Sequence, residues 1–214
     1  MDKTSLNIHH TAIYASDDIG EQFDTVNESH RKRWDGKTKS ALGFYGGYHY
    51  LIERSGIVQQ FRNDWEVGAH NNKGIKRVGF KWVSANYYAI GISFAGNMSK
   101  QELTYKQIKA GVELVKSLQN KYKIADDQIL PHRSYTPTQC PGNNLPDRTW
   151  EYLQEQYDKV DEPTDPIAQW HIKNKIITVW NNPPTPEEIK QGWIAYKILK
   201  AINTERIDKM KFDL

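Results

Sequence analysis

The chain has 214 residues, of which 38% are hydrophobic and 26% charged, with a formal net charge of +3. That composition suits one globular domain with room for a small appendage, and it lacks the basic footprint of a nucleic-acid-binding surface. The mild positive balance is compatible with an anionic partner. The single cysteine, Cys140, excludes an internal disulfide, and no stretch approaches the ~18 apolar residues that would span a membrane. Residues 1–8 hold no apolar run of signal-peptide length, so the expected product is made in the cytoplasm without a signal peptide and does not insert stably into membranes.

In chain order, Leu6-Asn7-Ile8-His9-His10 is β-prone and predicts a short opening strand. Ile19, Phe23, Val26, His30 and Trp34 recur at the period of an amphipathic helix. A glycine-rich stretch leads into Tyr48-His49-Tyr50-Leu51-Ile52. A turn at Arg54-Ser55-Gly56 then separates this run from Ile57-Val58-Gln59-Gln60-Phe61, the pattern of a hairpin. Residues 64–86 are polar and carry Gly68, Gly74 and Gly79, which predicts a loop. Residues 89–94, Ala-Ile-Gly-Ile-Ser-Phe, predict another strand.

A helix follows over 104–121. Thr104 and Gln107 form its capping box, and Tyr105, Ile108, Val112, Val115 and Tyr122 mark its apolar face. Residues 128–130 suit a short edge strand, 131–146 a turn-rich loop, and 147–157 a helix with Trp150, Leu153 and Tyr157 on one side. The acidic, proline-containing residues 158–166 read as a linker. Beyond it, 167–180 has helical character, and Thr185-Pro186-Glu187-Glu188 opens a helix through Ile189, Trp193, Tyr196 and Ile202. Strands alternating with helices over residues 1–157 predict an α/β domain, a central mixed β-sheet flanked by helices, with a C-terminal helical extension over 167–214.

Four places carry candidate chemistry. His9-His10 ends a strand, where adjacent side chains point to opposite faces, so at most one of the two serves a given site. His132 and Cys140 share a loop braced by Pro131, Pro137 and Pro141, which lowers the entropy of holding two ligands. Tyr48 opens a strand, and His70 sits in the polar run Gly68-Ala69-His70-Asn71-Asn72. Two histidines and one thiolate suit Zn2+ and leave a fourth position open, the mark of a catalytic rather than structural site. Zinc brings the pKa of bound water to about 7 and polarises a carbonyl, as amide hydrolysis requires. Hydroxyls of Tyr48 and Thr138 are suited to donate to the resulting oxyanion.

These motifs carry a resemblance. His9-His10-Thr11-Ala12, Gly47 to Ile52, Gly68-Ala69-His70, Ala89 to Phe94 and the loop from His132 to Cys140-Pro141-Gly142 occur in the order found in one family. The chain resembles the zinc amidases that unite amidase-type phage lysozymes with animal peptidoglycan recognition proteins, over about residues 5–157. The resemblance implies an amidase/peptidoglycan-recognition-like fold and an N-acetylmuramoyl-L-alanine amidase, a Zn2+-dependent hydrolase of peptidoglycan. It implies His9, His132 and Cys140 as metal ligands, Tyr48 as the catalytic tyrosine and Thr138 as a second catalytic donor, where some members have Lys. His70, Trp65 and Asn72 would line the substrate groove. Amidases of the family that recycle wall fragments differ: they carry Asp where Cys140 stands and an acid where Ser93 stands. Pro131 replaces the family's usual Gly.

The expected setting is a bacteriolytic phage or prophage endolysin, made in the cytoplasm and acting on the cell wall after release. The alternatives are a non-catalytic peptidoglycan-binding protein, for which the Cys ligand is atypical, and a polymerase-binding regulator. The extension, with Trp170, Trp180 and Trp193, is either packed on the catalytic domain or a module for wall targeting or self-association.

Overall fold

In the computed structural model, which describes residues 2–16, 21–71, 75–78 and 81–159, the opening run forms strand β1 (Ser5–His10). Helix α1 (Glu21–Arg33) follows, then the antiparallel pair β2 (Tyr50–Ile52) and β3 (Val58–Gln60) that the Gly56 turn predicts. Strand β6 (Ala89–Phe94) runs parallel to both β1 and β2, with His9 opposite Ser93. Strand β7 (Ile129–Pro131) lies parallel to β1 at the sheet edge, giving the order β3-β2-β6-β1-β7.

Residues 64–86 depart from the predicted loop. They contain strands β4 (Ile75–Val78) and β5 (Lys81–Ser84), paired antiparallel, and a one-turn helix α2 (Ala85–Tyr88). The pair stands outside the main sheet; in β5 Trp82 is 69% exposed, while Val83 packs against Ala85, Tyr88 and Ala89. Helix α3 (Tyr105–Tyr122) carries the predicted capping box, and helix α4 (Thr149–Lys159) closes the domain. Helix α4 runs to Lys159, into the stretch read as linker. The chain divides into two units, 1–161 and 162–214. The rest of the linker and the C-terminal extension lie outside the described residues.

Every residue of β1 and β6 is buried, as expected of parallel strands covered on both faces. Leu6 and Ile8 join Ile90, Ile92 and Phe94 in one core with Ile108, Val112, Val115 and Leu118 of α3 and Trp150 and Leu153 of α4. On the other face Phe23 and Val26 of α1 pack with Leu51 and Phe61. The Phe23 and Phe61 rings stack at 4.2 Å between centroids. Each buried large aliphatic or aromatic side chain contributes about 1.5–3 kcal/mol.

Tyr105, predicted on the apolar face of α3, is instead 39% exposed. The first turn of the helix docks through a polar group. The fully buried Gln107 amide donates to Ile52 O at 3.1 Å and Ala95 O at 2.9 Å, while its Oε1 accepts the Thr104 N–H at 3.2 Å. Gln107→Leu leaves those groups unpaired in the core and is expected to destabilise the domain by roughly 2–4 kcal/mol. Thr104→Ala, which removes only a cap, should cost about 1 kcal/mol. Urea denaturation of the two variants checks the ranking.

Candidate active site

Strand β1 ends on His9 and His10, and strand alternation parts them. His9 follows Asn7 onto the α1 face of the sheet and is 1% exposed. His10 turns the other way, where its Nδ1 accepts the Met98 N–H at 3.0 Å. Pro131 of β7 lies opposite Ile8, and the chain passes at once into a tight helical turn, His132–Ser134. The His132 ring therefore comes to rest 4.3 Å from the His9 ring, centroid to centroid.

Arg133 closes the loop that follows. Its N–H donates to Cys140 O at 3.1 Å. Its guanidinium donates to Gln139 O, Gly142 O and Leu145 O at 3.3, 2.6 and 3.1 Å and pairs with Asp147 at 3.1 Å. Gly142 holds φ at +100°, and a Cβ there would stand 2.5–2.8 Å from the backbone of Met98 and Ser99, so the turn accepts glycine alone. The loop brings Cys140 Sγ to 3.7 Å from His9 Nδ1.

The donor atoms of His9, His132 and Cys140 all lie within 4.8 Å of one another. Tetrahedral zinc, with bonds of about 2.0–2.3 Å, sets its ligand atoms roughly 3.3–3.6 Å apart, close to the Cys140–His9 spacing. His132 Nε2 is buried without a hydrogen-bond partner, a lone pair that a cation would satisfy. Burial is the first cause that holds His9 well below the usual histidine range, with His132 and His70 adding to it. It brings His132 to about 4. Both rings are thus neutral at pH 7, as ligation requires. Burial pushes the Cys140 thiol up to about 11, so a metal ion must displace its proton. These three residues can hold a divalent ion and leave a position open.

They form part of a cleft of about 590 Å3 that also takes in Tyr48 and Thr138. The Tyr48 ring lies 5.0 Å from that of His9. Burial, then the neighbouring Cys140, raises its hydroxyl pKa above the usual value, so Tyr48 keeps its proton and acts as a donor. Thr138 Oγ1 accepts the Cys140 N–H at 3.2 Å, which leaves the hydroxyl proton to donate elsewhere.

The predicted groove residues separate. His70 lines the same cleft as His9, is 7% exposed and sits beneath it, with His9 Nε2 and His70 Nδ1 3.1 Å apart. Trp65 is 72% exposed beside a second groove of about 390 Å3 with Lys37, Lys39 and Arg62, and Ala69 belongs to the walls of both hollows. Asn72 lies outside the described residues. Sequence reasoning missed His30, Arg33 and Trp34, which line the cleft from the end of α1. Their signal was a polar histidine on an otherwise apolar stripe, one turn before a tryptophan. His30 Nδ1 accepts the Gly47 N–H at 2.9 Å, which ties this wall to the segment carrying Tyr48.

The family described as N-acetylmuramoyl-L-alanine amidase matches residues 3–143. The chain belongs to this amidase family. Peptidoglycan-recognition protein SC2 of Drosophila melanogaster is 37% identical over 108 residues, 49% of this chain and 52% of that protein. The endolysin of Escherichia phage T7 is 29% identical over 110 residues, 49% of this chain and 64% of that protein. The chain thus spans about half the length of the first curated relatives it matches. Among solved structures, the N-acetylmuramoyl-L-alanine amidase LysC from Clostridium intestinale URNW aligns with a TM-score of 0.53 at 26% identity, covering 74% of this chain and 87% of its own. Bumblebee PGRP-SA shares the fold, with a TM-score of 0.55 at 21% identity over 76% of this chain and 87% of its own. The amidase fold is therefore common to lytic enzymes and recognition proteins, and the distinction between them rests on site chemistry.

The amidase domain buries an unusual number of neutral imidazoles. Burial brings His10, His30 and His132 to about 4 and His49 to about 3. In the unfolded chain these groups protonate near pH 6.5, so below that pH the unfolded state binds protons that the folded state refuses. Their contribution is fully present above pH 6.5 and is lost as pH falls towards and through 4. Stability of the metal-free protein should drop by about 1.4 kcal/mol per pH unit for each histidine protonated only when unfolded. Denaturant titrations between pH 7.5 and 4.5 check this, and a flat profile would contradict the burial.

Proposed function

We propose that the protein is a zinc-dependent N-acetylmuramoyl-L-alanine amidase acting as a phage or prophage endolysin. It would hydrolyse the amide between N-acetylmuramic acid and the L-alanine of the stem peptide. The observation that carries this reading is the convergence of His9, His132 and Cys140 donor atoms within 4.8 Å at one end of a cleft that also holds Tyr48 and Thr138. Similarity to LysC and to the T7 endolysin supports the lytic setting.

His9, His132 and Cys140 would hold the ion. When bound, zinc supplies Lewis acidity that activates water and polarises the amide carbonyl. Tyr48 donates from Oη towards the oxygen that gains charge, and because its proton is firmly held it does so across the neutral pH range. Thr138 is a second donor, neutral where a lysine would give a charge-assisted bond. Among the described residues no Asp or Glu lines the cleft, so proton movement falls to solvent while Tyr48 serves as a donor. Arg33 and Lys100 on the cleft wall present positive charge to the carboxylates of a stem peptide. Trp65 and Asn72 are proposed substrate contacts, Trp65 by stacking on a sugar face from the adjoining groove.

The proposed organisation is a catalytic domain over 1–157, a linker over 158–166 and a helical extension over 167–214 that packs on that domain or serves wall targeting or self-association. The proposed place of action is the bacterial wall, reached from the cytoplasm after release. Among the described residues no helix is long and apolar enough to cross a membrane. The alternative, recognition of peptidoglycan without cleavage, is disfavoured by the retained thiolate ligand, which recognition alone does not need.

The test is incubation with peptidoglycan, with and without a chelator, scoring new N-terminal L-alanine. Chelator-sensitive release is expected. Cys140→Ala should lose zinc and release together, and Tyr48→Phe should keep zinc while kcat falls roughly 10²–10³-fold. Zinc-loaded protein that binds the wall yet releases nothing would replace this reading with the recognition one.

A further inference from the structure

A buried relay leads away from the metal ligand His9 on the side opposite Cys140. His9 Nδ1 faces the thiol, and its other nitrogen, Nε2, lies 3.1 Å from His70 Nδ1. The Asn71 amide nitrogen reaches the same His70 Nδ1, also at 3.1 Å. The Asn71 amide is turned that way because its Oδ1 accepts from Asn7 Nδ2 at 2.7 Å. An unprotonated His70 Nδ1 offers one lone pair, shared between the Asn71 N–H and the His9 Nε2–H; in that arrangement the proton of the His9–His70 contact resides on His9 Nε2. A neutral imidazole carries one proton. With that proton on Nε2, His9 Nδ1 is bare and aimed at the metal position.

The surrounding backbone is shaped for this imidazole. A Cβ on Gly91 would stand 2.7–2.9 Å from the His70 ring, and one on Gly68 would stand 2.7 Å from its Nε2. Two strand-and-loop segments therefore give up their side chains to let the ring in. The loop that carries it is clamped: Asn86 Oδ1 accepts the N–H of both His70 and Asn71, at 3.0 and 2.8 Å, and Asn86 Nδ2 donates to Asn71 O at 2.7 Å. His70 lines the floor of the cleft, and this enclosure fixes its ring against His9.

We propose that His70 is a positioning residue that acts through His9: its Nδ1 accepts the His9 Nε2–H, which fixes the ligand's tautomer and ring orientation. This rests on the zinc reading of the site, and it replaces the groove role that the family resemblance implies for His70. Partners of this kind raise ligand basicity, and their loss costs 10–100-fold in metal affinity in other zinc proteins. Asn7 and Asn71 then form the next layer, orienting His70 as His70 orients His9.

The test measures zinc affinity by chelator competition, which needs no turnover. His70→Phe keeps the ring's bulk and removes the acceptor, so zinc binding should weaken by about 10–100-fold. His70→Gln, which restores an acceptor, should recover most of that loss. His70→Leu makes the same comparison if phenylalanine is not accommodated between Gly68 and Gly91. A cobalt-substituted sample should keep a tetrahedral spectrum in His70→Gln and lose intensity in His70→Phe. Wild-type protein that takes up no zinc would sink the reading of the site itself. Wild-type and His70→Phe binding zinc equally, with KM for wall fragments raised, would overturn the positioning role alone and return His70 to the groove.

Discussion

Strand β1 is hydrogen-bonded along both edges, to β6 and to β7, and all six of its residues are buried. A parallel strand in that position tolerates no slip, because a shift by one residue would exchange its two faces. Leu6 and Ile8 would then meet the polar side, and Asn7 and His9 would enter the α3–α4 core. The apolar pair therefore sets the register, and the register aims His9. Chemistry at the end of this strand inherits its precision from hydrophobic burial two and four residues earlier. The neighbouring β7 ends beside it and turns directly into His132, so two candidate ligands arrive from adjacent strand ends without a flexible connection.

The two faces of the sheet divide the work. One is filled by aliphatic and aromatic side chains under α3 and α4, and it accounts for most of the apolar burial. The other carries a band of buried polar groups, Asn7, His9, His49, His70 and Ser93, beside the smaller Phe23–Phe61 cluster. Buried polar groups cost stability unless they satisfy one another. Here the band is largely closed on itself: His49 Nδ1 accepts the Gly91 N–H, and its Nε2 meets Glu66 O. The remaining unpaired atoms include His70 Nε2, His132 Nε2 and Ser93 Oγ, all of them at or next to the cleft. Buried polar atoms left unpaired beside a cleft are available to a ligand that enters it.

Much of this was legible in the sequence, for identifiable reasons. The strands β1 and β6 and the hairpin β2–β3 announce themselves by apolar runs broken at Gly56. Helix α3 announces itself by a capping box that the structure reproduces on both sides. The candidate ligand set came from the order of five short motifs, and the donor atoms of His9, His132 and Cys140 lie within 4.8 Å of one another. What stayed hidden depends on context. Strands β4 and β5 stand outside the main sheet, in a polar stretch without an apolar period. Whether His70 lies in solvent or beneath His9 is decided by Gly68, Gly91 and Asn86, none of which signals a role alone. His30 and Trp34 fit the helical stripe of α1, and only the end of that helix at the cleft shows that they also line it.

Cys140 lies 131 residues along the chain from His9, so an ion held by both would cross-link the first strand to the last loop of the domain. Closing so long a span is entropically costly in the unfolded chain, and a ligand bound only by the folded state stabilises it in proportion to its affinity. The metal would not, however, be needed to shape the loop. Arg133 already gathers the carbonyls of Gln139, Gly142 and Leu145, and its own N–H holds Cys140 O. Its charge is met by carbonyl oxygens and by an Asp147 that is itself 79% exposed, so the guanidinium serves as a multi-point clamp more than as half of an ion pair. A lysine could supply the charge but not the fork that reaches several carbonyls at once. The proposed ligands are each tied down by hydrogen bonds within the protein: His9 by the β1 ladder, His132 through its carbonyl, which accepts the Tyr135 N–H, and Cys140 by Arg133. Affinity for an ion held there would then be spent on coordination rather than on ordering the chain, leaving an open position beside Tyr48 and Thr138.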